Sequence, residues 1–69
     1  MKTVELKNYT GTIWLDSVFF FEHNDYREDV SVTLYLEGNR VTDYDHCYEI
    51  PKEVVEFMIK AGFNMEDVL

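Results

Sequence analysis

With 69 residues, 46% hydrophobic and 16% aromatic, the chain has the composition of one small globular domain over 1–69. A domain of this size buries only about 60% of the surface its unfolded chain exposes, which excludes a two-domain enzyme and leaves little room for a deep cleft. Fourteen acidic residues stand against 6 basic ones, a formal net charge of −8, and that speaks against direct binding of DNA or RNA, which needs a net basic face to displace counterions.

The N-terminal segment Met1-Lys2-Thr3-Val4-Glu5-Leu6-Lys7 carries no apolar run of the kind a secretory leader needs after its basic start. The longest apolar run, Val18-Phe19-Phe20-Phe21, falls far short of the ~20 residues that span a bilayer. Cys47 is the single cysteine, so no internal disulfide forms, and a cytoplasmic setting is expected.

Residues 2–8 alternate, with Val4 and Leu6 on one side and Thr3, Glu5 and Lys7 on the other, the pattern of a half-buried strand. Asn8-Tyr9-Thr10-Gly11 reads as a turn. Residues 12–22 read as one long second strand. Ile13, Leu15, Phe19 and Phe21 lie on one face, and Trp14, Val18 and Phe20 on the other. A polar, acid-rich loop runs from His23 to Asp29. Strand three follows, with Val30, Val32, Leu34 and Leu36 inward and Ser31, Thr33, Tyr35 and Glu37 outward. Gly38-Asn39 makes a two-residue hairpin, glycine first favouring type II′, and strand four runs from Arg40 to about Tyr48.

That hairpin raises a question of register. It places Leu36 opposite Val41 on the core side, and strict alternation then turns Asp43 and Asp45 inward as well, at the cost of two buried carboxylates. A β-bulge near Thr42-Asp43 is therefore expected, turning Tyr44, Tyr48 and Ile50 inward and Asp43 or Asp45 outward; a short strand that leaves the sheet early is the alternative. Pro51 suits the first position of a helix over 51–61, whose apolar side is Val54, Val55, Met58 and Ile59, and Gly62 suits its termination. Asn64, with Asp67 three residues on and Phe63 and Val68 at staple spacing, predicts a short second helix over 65–69. The expected fold is α+β: a four-stranded antiparallel meander covered on one face by two helices, in the order ββββαα. One helix covers one face only, so Trp14, Val18 and Phe20 are candidates for an apolar interface, with a partner or with a second copy of the chain.

Chemistry-bearing residues concentrate in Asp43-Tyr44-Asp45-His46-Cys47-Tyr48-Glu49. The types are those of a metal site, but adjacent His46 and Cys47 point to opposite sides of a strand, and neither Cys-x-x-Cys nor His-x-x-x-His occurs. No metal and no cofactor is expected. Ser17 and Ser31 lack a nucleophile elbow, and no glycine-rich phosphate loop is present, so no enzymatic activity is expected. What stands out is acid interleaved with tyrosine. Asp25, Glu28, Asp29, Asp43, Asp45 and Glu49, with Tyr44 and Tyr48, suit a surface that meets arginine, which pairs with the carboxylates and stacks on the rings.

In that profile of small size, β-rich pattern and carboxylate–tyrosine interleaving, the chain resembles the phage-encoded inhibitors of restriction and CRISPR systems, many of which mimic DNA. The resemblance implies a non-enzymatic inhibitor that docks an acidic face on the basic groove of a nucleic-acid-binding protein. The alternative is a small homo-oligomeric accessory module joined through Trp14, Val18 and Phe20.

Overall fold

The computed structural model describes residues 2–25, 27, 31–46 and 48–69. Five strands and one helix follow in chain order: β1 (Lys2–Glu5), β2 (Tyr9–Trp14), β3 (Val18–His23), β4 (Ser31–Glu37), β5 (Arg40–Asp45) and α1 (Lys52–Lys60). The strands form a single antiparallel meander in the order β1-β2-β3-β4-β5. The expected four strands and two helices are thus corrected to five and one.

The extra strand comes from the segment read as one strand over 12–22. Its chain reverses at Leu15-Asp16, both left-handed at φ 50° and 57°, with the Ser17 N–H donating to the Trp14 carbonyl at 3.0 Å. Two left-handed central residues define a type I′ reversal, normally the place of Asn-Gly, so these side chains gave no turn signal. Pairing resumes at Trp14 opposite Val18 and runs to Tyr9 opposite His23. The early part of the chain shifts accordingly. β1 ends at Glu5, the Leu6 N–H donates to the Tyr9 carbonyl at 2.8 Å, and Tyr9-Thr10-Gly11, expected to be a turn, opens β2.

The second helix does not form. The Asn64 side chain closes a local turn rather than capping a helix, its Oδ1 accepting the Glu66 N–H at 2.9 Å. Its backbone is committed to the sheet edge: the Asn64 N–H donates to the Asn39 carbonyl and the Asn64 carbonyl accepts from Val41 N–H, a parallel bridge beside Arg40. The residues after it form turns, with Met65 buried and Phe63 and Val68 packed on the core.

The second hairpin and the bulge match expectation. Glu37 lies opposite Arg40, with Gly38 at φ 64° and Asn39 outside the left-handed region, the sign pattern of type II′. β5 carries the register shift: Leu36 pairs with Val41 and Tyr35 with Asp43, leaving Thr42 as the extra residue. Asp43 and Asp45 are exposed, Tyr44 is half-buried against the core, and Ile50 is buried. Tyr48, expected inward, is 76% exposed, because β5 ends at Asp45 and the alternation ends with it. Pro51 caps α1 rather than entering it. Gly62, at φ 98°, ends the helix in a Schellman arrangement: its N–H donates to the Ile59 carbonyl and that of Phe63 to Met58.

The core lies between the sheet and α1. Phe19, Phe21, Val32, Leu34, Leu36 and Val41 point from the sheet toward Val54 and Met58. Phe19 and Phe21 stack at 4.7 Å, and Phe57 meets both edge-on at 5.8 and 5.9 Å. Burying such side chains contributes about 1.5–3 kcal/mol each, and this single layer of contacts holds the helix to the sheet.

Candidate interaction face

The opposite face of the sheet follows from register alone. One row across it reads Trp14, Val18, Tyr35, Asp43, and the next Thr3, Thr12, Phe20, Thr33, Asp45. A third begins Glu5, Thr10, Glu22, Ser31. At about 4.8 Å per strand the first row spans roughly 14 Å. Because α1 and the C-terminal segment pack on the other side, Trp14 stays 50% exposed and Tyr35 41% exposed, while Val18 and Phe20 are half-buried by their neighbours.

The two surfaces singled out in the sequence therefore share one face. Trp14, Val18 and Phe20 form its apolar centre, and Asp43 and Asp45 form its acidic border along β5, an arrangement that exists only because Thr42 is bulged out. Asp43 uses one oxygen to accept the Tyr44 N–H at 2.8 Å; the Asp45 carboxylate has no hydrogen-bond partner among the described residues. No cation pairs with Asp43, Asp45 or Glu22 among those residues, so their charge faces solvent. Arg40, at the start of β5, is held by Asp67, which also raises its pKa above the usual arginine value.

The other expected contact residues lie elsewhere. Asp25 follows β3 at the far end of the sheet, where Arg27 grips both its oxygens at 3.0 and 2.9 Å and its backbone N–H adds a third bond. The Arg27 side chain, then its N–H, hold the Asp25 carboxyl below the ordinary carboxylate value, and Asp25 raises Arg27 in return. Its charge is matched locally. Glu28 and Asp29 lie outside the described residues. Tyr44 points to the helix side, where it lines a hollow of about 390 Å³ with Glu49, Ile50, Val68 and Leu69. Tyr48 is exposed beyond β5, its ring edge-on to His46 at 5.9 Å. Of the eight acidic and tyrosine positions, Asp43 and Asp45 alone belong to the open face among those described. Tyr35 was missed, although its alternation in β4 made it legible. Leu15, expected on the core side, is instead exposed at the reversal, where it lines a hollow with Lys2, Ile13 and Asp16.

The histidines have structural partners. His46 Nδ1–H donates to the Ser31 carbonyl at 2.8 Å, and His23 Nδ1 accepts the Asp25 N–H at 3.0 Å while its ring meets Tyr9 edge-on. Among the described residues no three His, Cys, Asp or Glu side chains come together as a metal site. Cys47 lies outside those residues. No described helix is long and apolar enough to cross a membrane.

Comparison with protein-family models, with curated proteins and with solved structures returned no significant match. The functional reading therefore rests on the face itself.

Proposed function

We propose that the protein is a non-enzymatic binding module that acts in the cytoplasm, docking the open face of its sheet on the basic groove of a nucleic-acid-binding protein. The observation that carries this is the placement of Asp43 and Asp45, unpaired with any described cation, beside Trp14, Phe20 and Tyr35 on one uncovered surface. Arginine suits such a surface twice over, pairing with a carboxylate and stacking on a neighbouring ring. A standard interface takes about 800 Å² from each partner, roughly a sixth of this molecule's 5004 Å², which one sheet face can supply. Occupying the groove excludes nucleic acid from it, so inhibition follows by competition, the mode of the phage-encoded blockers that the sequence resembles.

The same face, with Trp14 half-exposed, is also what a homo-oligomeric module would use. Pairing it with its own copy sets carboxylates against carboxylates, whereas a basic partner relieves that repulsion. The test is capture from nuclease-treated bacterial lysate by the immobilised wild type and by the D43K/D45K variant. The expected result is a nucleic-acid-binding protein, eluted by moderate salt and displaced by duplex DNA or RNA, and lost with the charge reversal. Capture unaffected by the reversal, or a salt-insensitive multimer of the bait alone, overturns the proposal.

A further inference from the structure

The two edges of the sheet are finished differently. At β5 the Asn64 backbone bonds to Asn39 and Val41, and the Thr42 bulge interrupts the strand just beyond. β1 has no such cover. The Leu6 N–H donates to the Tyr9 carbonyl at 2.8 Å, and the same register runs on through Glu5 opposite Thr10 to Lys2 opposite Ile13. Bonded and non-bonded pairs alternate along an antiparallel ladder, so Val4 bonds inward to Gly11, while Thr3 and Glu5 aim their N–H and C=O groups outward. No described residue takes up those groups. Such an edge is a template for another strand.

Beside it, on the helix side, a hollow of about 700 Å³ runs between the end of β1 and the flank of α1. Leu6 and Phe57, both half-buried, supply its apolar lining. Lys7, Lys52 and Lys60 line it too, and Lys2 stands at the same edge, on the helix-side row with Ile13. These are all four lysines of a chain whose net charge is −8. Both arginines are matched elsewhere, at Asp25 and Asp67. The carboxylates in the hollow are engaged as well: Glu53 accepts from Asn8, and Glu56 lies 3.9 Å from Lys52. Lys2, Lys7 and Lys60 make no ion pair among the described residues.

We propose that this edge and this hollow together bind an extended acidic peptide, which adds to β1 as a further antiparallel strand. Thr3 and Glu5 supply the backbone bonds. Peptide residues opposite Val4 and Leu6 face the helix side, where apolar side chains cover Leu6 and Phe57. Carboxylates toward the peptide's ends meet Lys2 at one end and the lysines of the hollow at the other. Lysine on an edge strand ordinarily deters other chains, but a carboxylate is drawn to it. The protein's remote acidic residues oppose an anionic ligand; beyond a Debye length of about 8 Å at physiological salt that repulsion is largely screened, whereas the lysines act at contact. The site lies apart from the open face and does not depend on its function.

The probe is the end-capped peptide Glu-Thr-Val-Thr-Val-Thr-Glu, titrated into the labelled full chain at about 0.15 M salt, with Lys-Thr-Val-Thr-Val-Thr-Lys as control. The expected result is amide shifts in β1, the turn after it and α1, with Trp14, Tyr35, Asp43 and Asp45 unmoved. Exchange of the Thr3 and Glu5 amides should slow, and the lysine peptide should bind about tenfold or more weakly. Lys7→Gln with Lys60→Gln, both exposed, should weaken the acidic peptide about threefold to tenfold. Glu5→Pro removes one outward N–H without touching the ladder to β2, and should keep the fold while losing the peptide. No binding of the acidic peptide, equal binding of both peptides, or indifference to the lysine pair overturns the proposal, as does a folded Glu5→Pro form that still binds. Protection of Thr3 and Glu5 without peptide, growing with protein concentration, would give the edge to a second copy and overturn it too.

Discussion

Gly11 shows how closely single residues are set in this small core. It lies in β2 opposite Phe21, and a Cβ placed there would come within 2.5 Å of one Phe21 ring atom and 2.9 Å of a Phe19 ring atom. Those rings are stacked on each other and braced by Phe57, so they have nowhere to move. Gly11→Ala should therefore destabilise by about 1–3 kcal/mol, read as a lower urea midpoint with an unchanged slope. Glu53 gives a second residue-scale test. Its carboxylate accepts the Asn8 backbone N–H at 2.7 Å and the Asn8 Nδ2–H at 2.9 Å, fastening the β1–β2 connection to the helix start. The backbone bond, opposed in part by desolvation, lowers the Glu53 pKa from its ordinary 4.5. With the folded value below the unfolded one, the stabilisation is complete above about 4.5 and is lost as pH falls through the folded value. Glu53→Gln should cost about 0.5–1 kcal/mol near neutrality, a modest figure because the site is solvent-screened. Thermal melts of both forms should converge below pH 4.5; a gap independent of pH would show that the charge is not involved.

At the scale of elements, the bulge in β5 makes a contrast between two deletions. Thr42 is the residue without a partner, so removing it restores an unbroken ladder with Asp43 still opposite Tyr35 and Tyr44 opposite Leu34. That deletion should keep the fold and cost under about 2 kcal/mol, unusual for a strand interior. Removing Tyr44 instead puts an aspartate opposite buried Leu34 whether or not the bulge persists, and should unfold the chain or cost far more. Circular dichroism through urea titration distinguishes the two. The bulge was legible in the sequence because hairpin and hydrophobic pattern contradicted each other at Asp43, and only an extra residue reconciles them. The β2–β3 reversal was not legible, since Leu15-Asp16 carries no glycine, proline or asparagine and both flanks alternate apolar residues in compatible phase. The missing second helix has a different cause. Asn64 has the side chain of a cap, but its backbone groups are engaged by Asn39 and Val41, a long-range pairing that local spacing does not reveal. For the site, Asp43, Asp45, Trp14, Val18 and Phe20 were visible one strand at a time. That they form one face depended on which strands are neighbours, and the unseen turn decides that.

For the whole molecule, the charge is unevenly used. Asp25 and Asp67 are matched by Arg27 and Arg40, and Glu56 lies 3.9 Å from Lys52, whereas the open face holds its carboxylates without a cation partner among the described residues, around an aromatic centre. With a net charge of −8, the isolated protein should sediment as a monomer at low salt despite its exposed Trp14, and a dimer there would contradict the like-charge account of why this face waits for a basic partner. The central claim is that the open face makes the contact, and amide chemical-shift mapping of the labelled protein with its captured basic partner tests it most directly. The account predicts shifts at Trp14, Val18, Phe20, Tyr35, Asp43 and Asp45, with Lys52–Lys60 unmoved. Shifts concentrated on the helix, with those six unmoved, would contradict it.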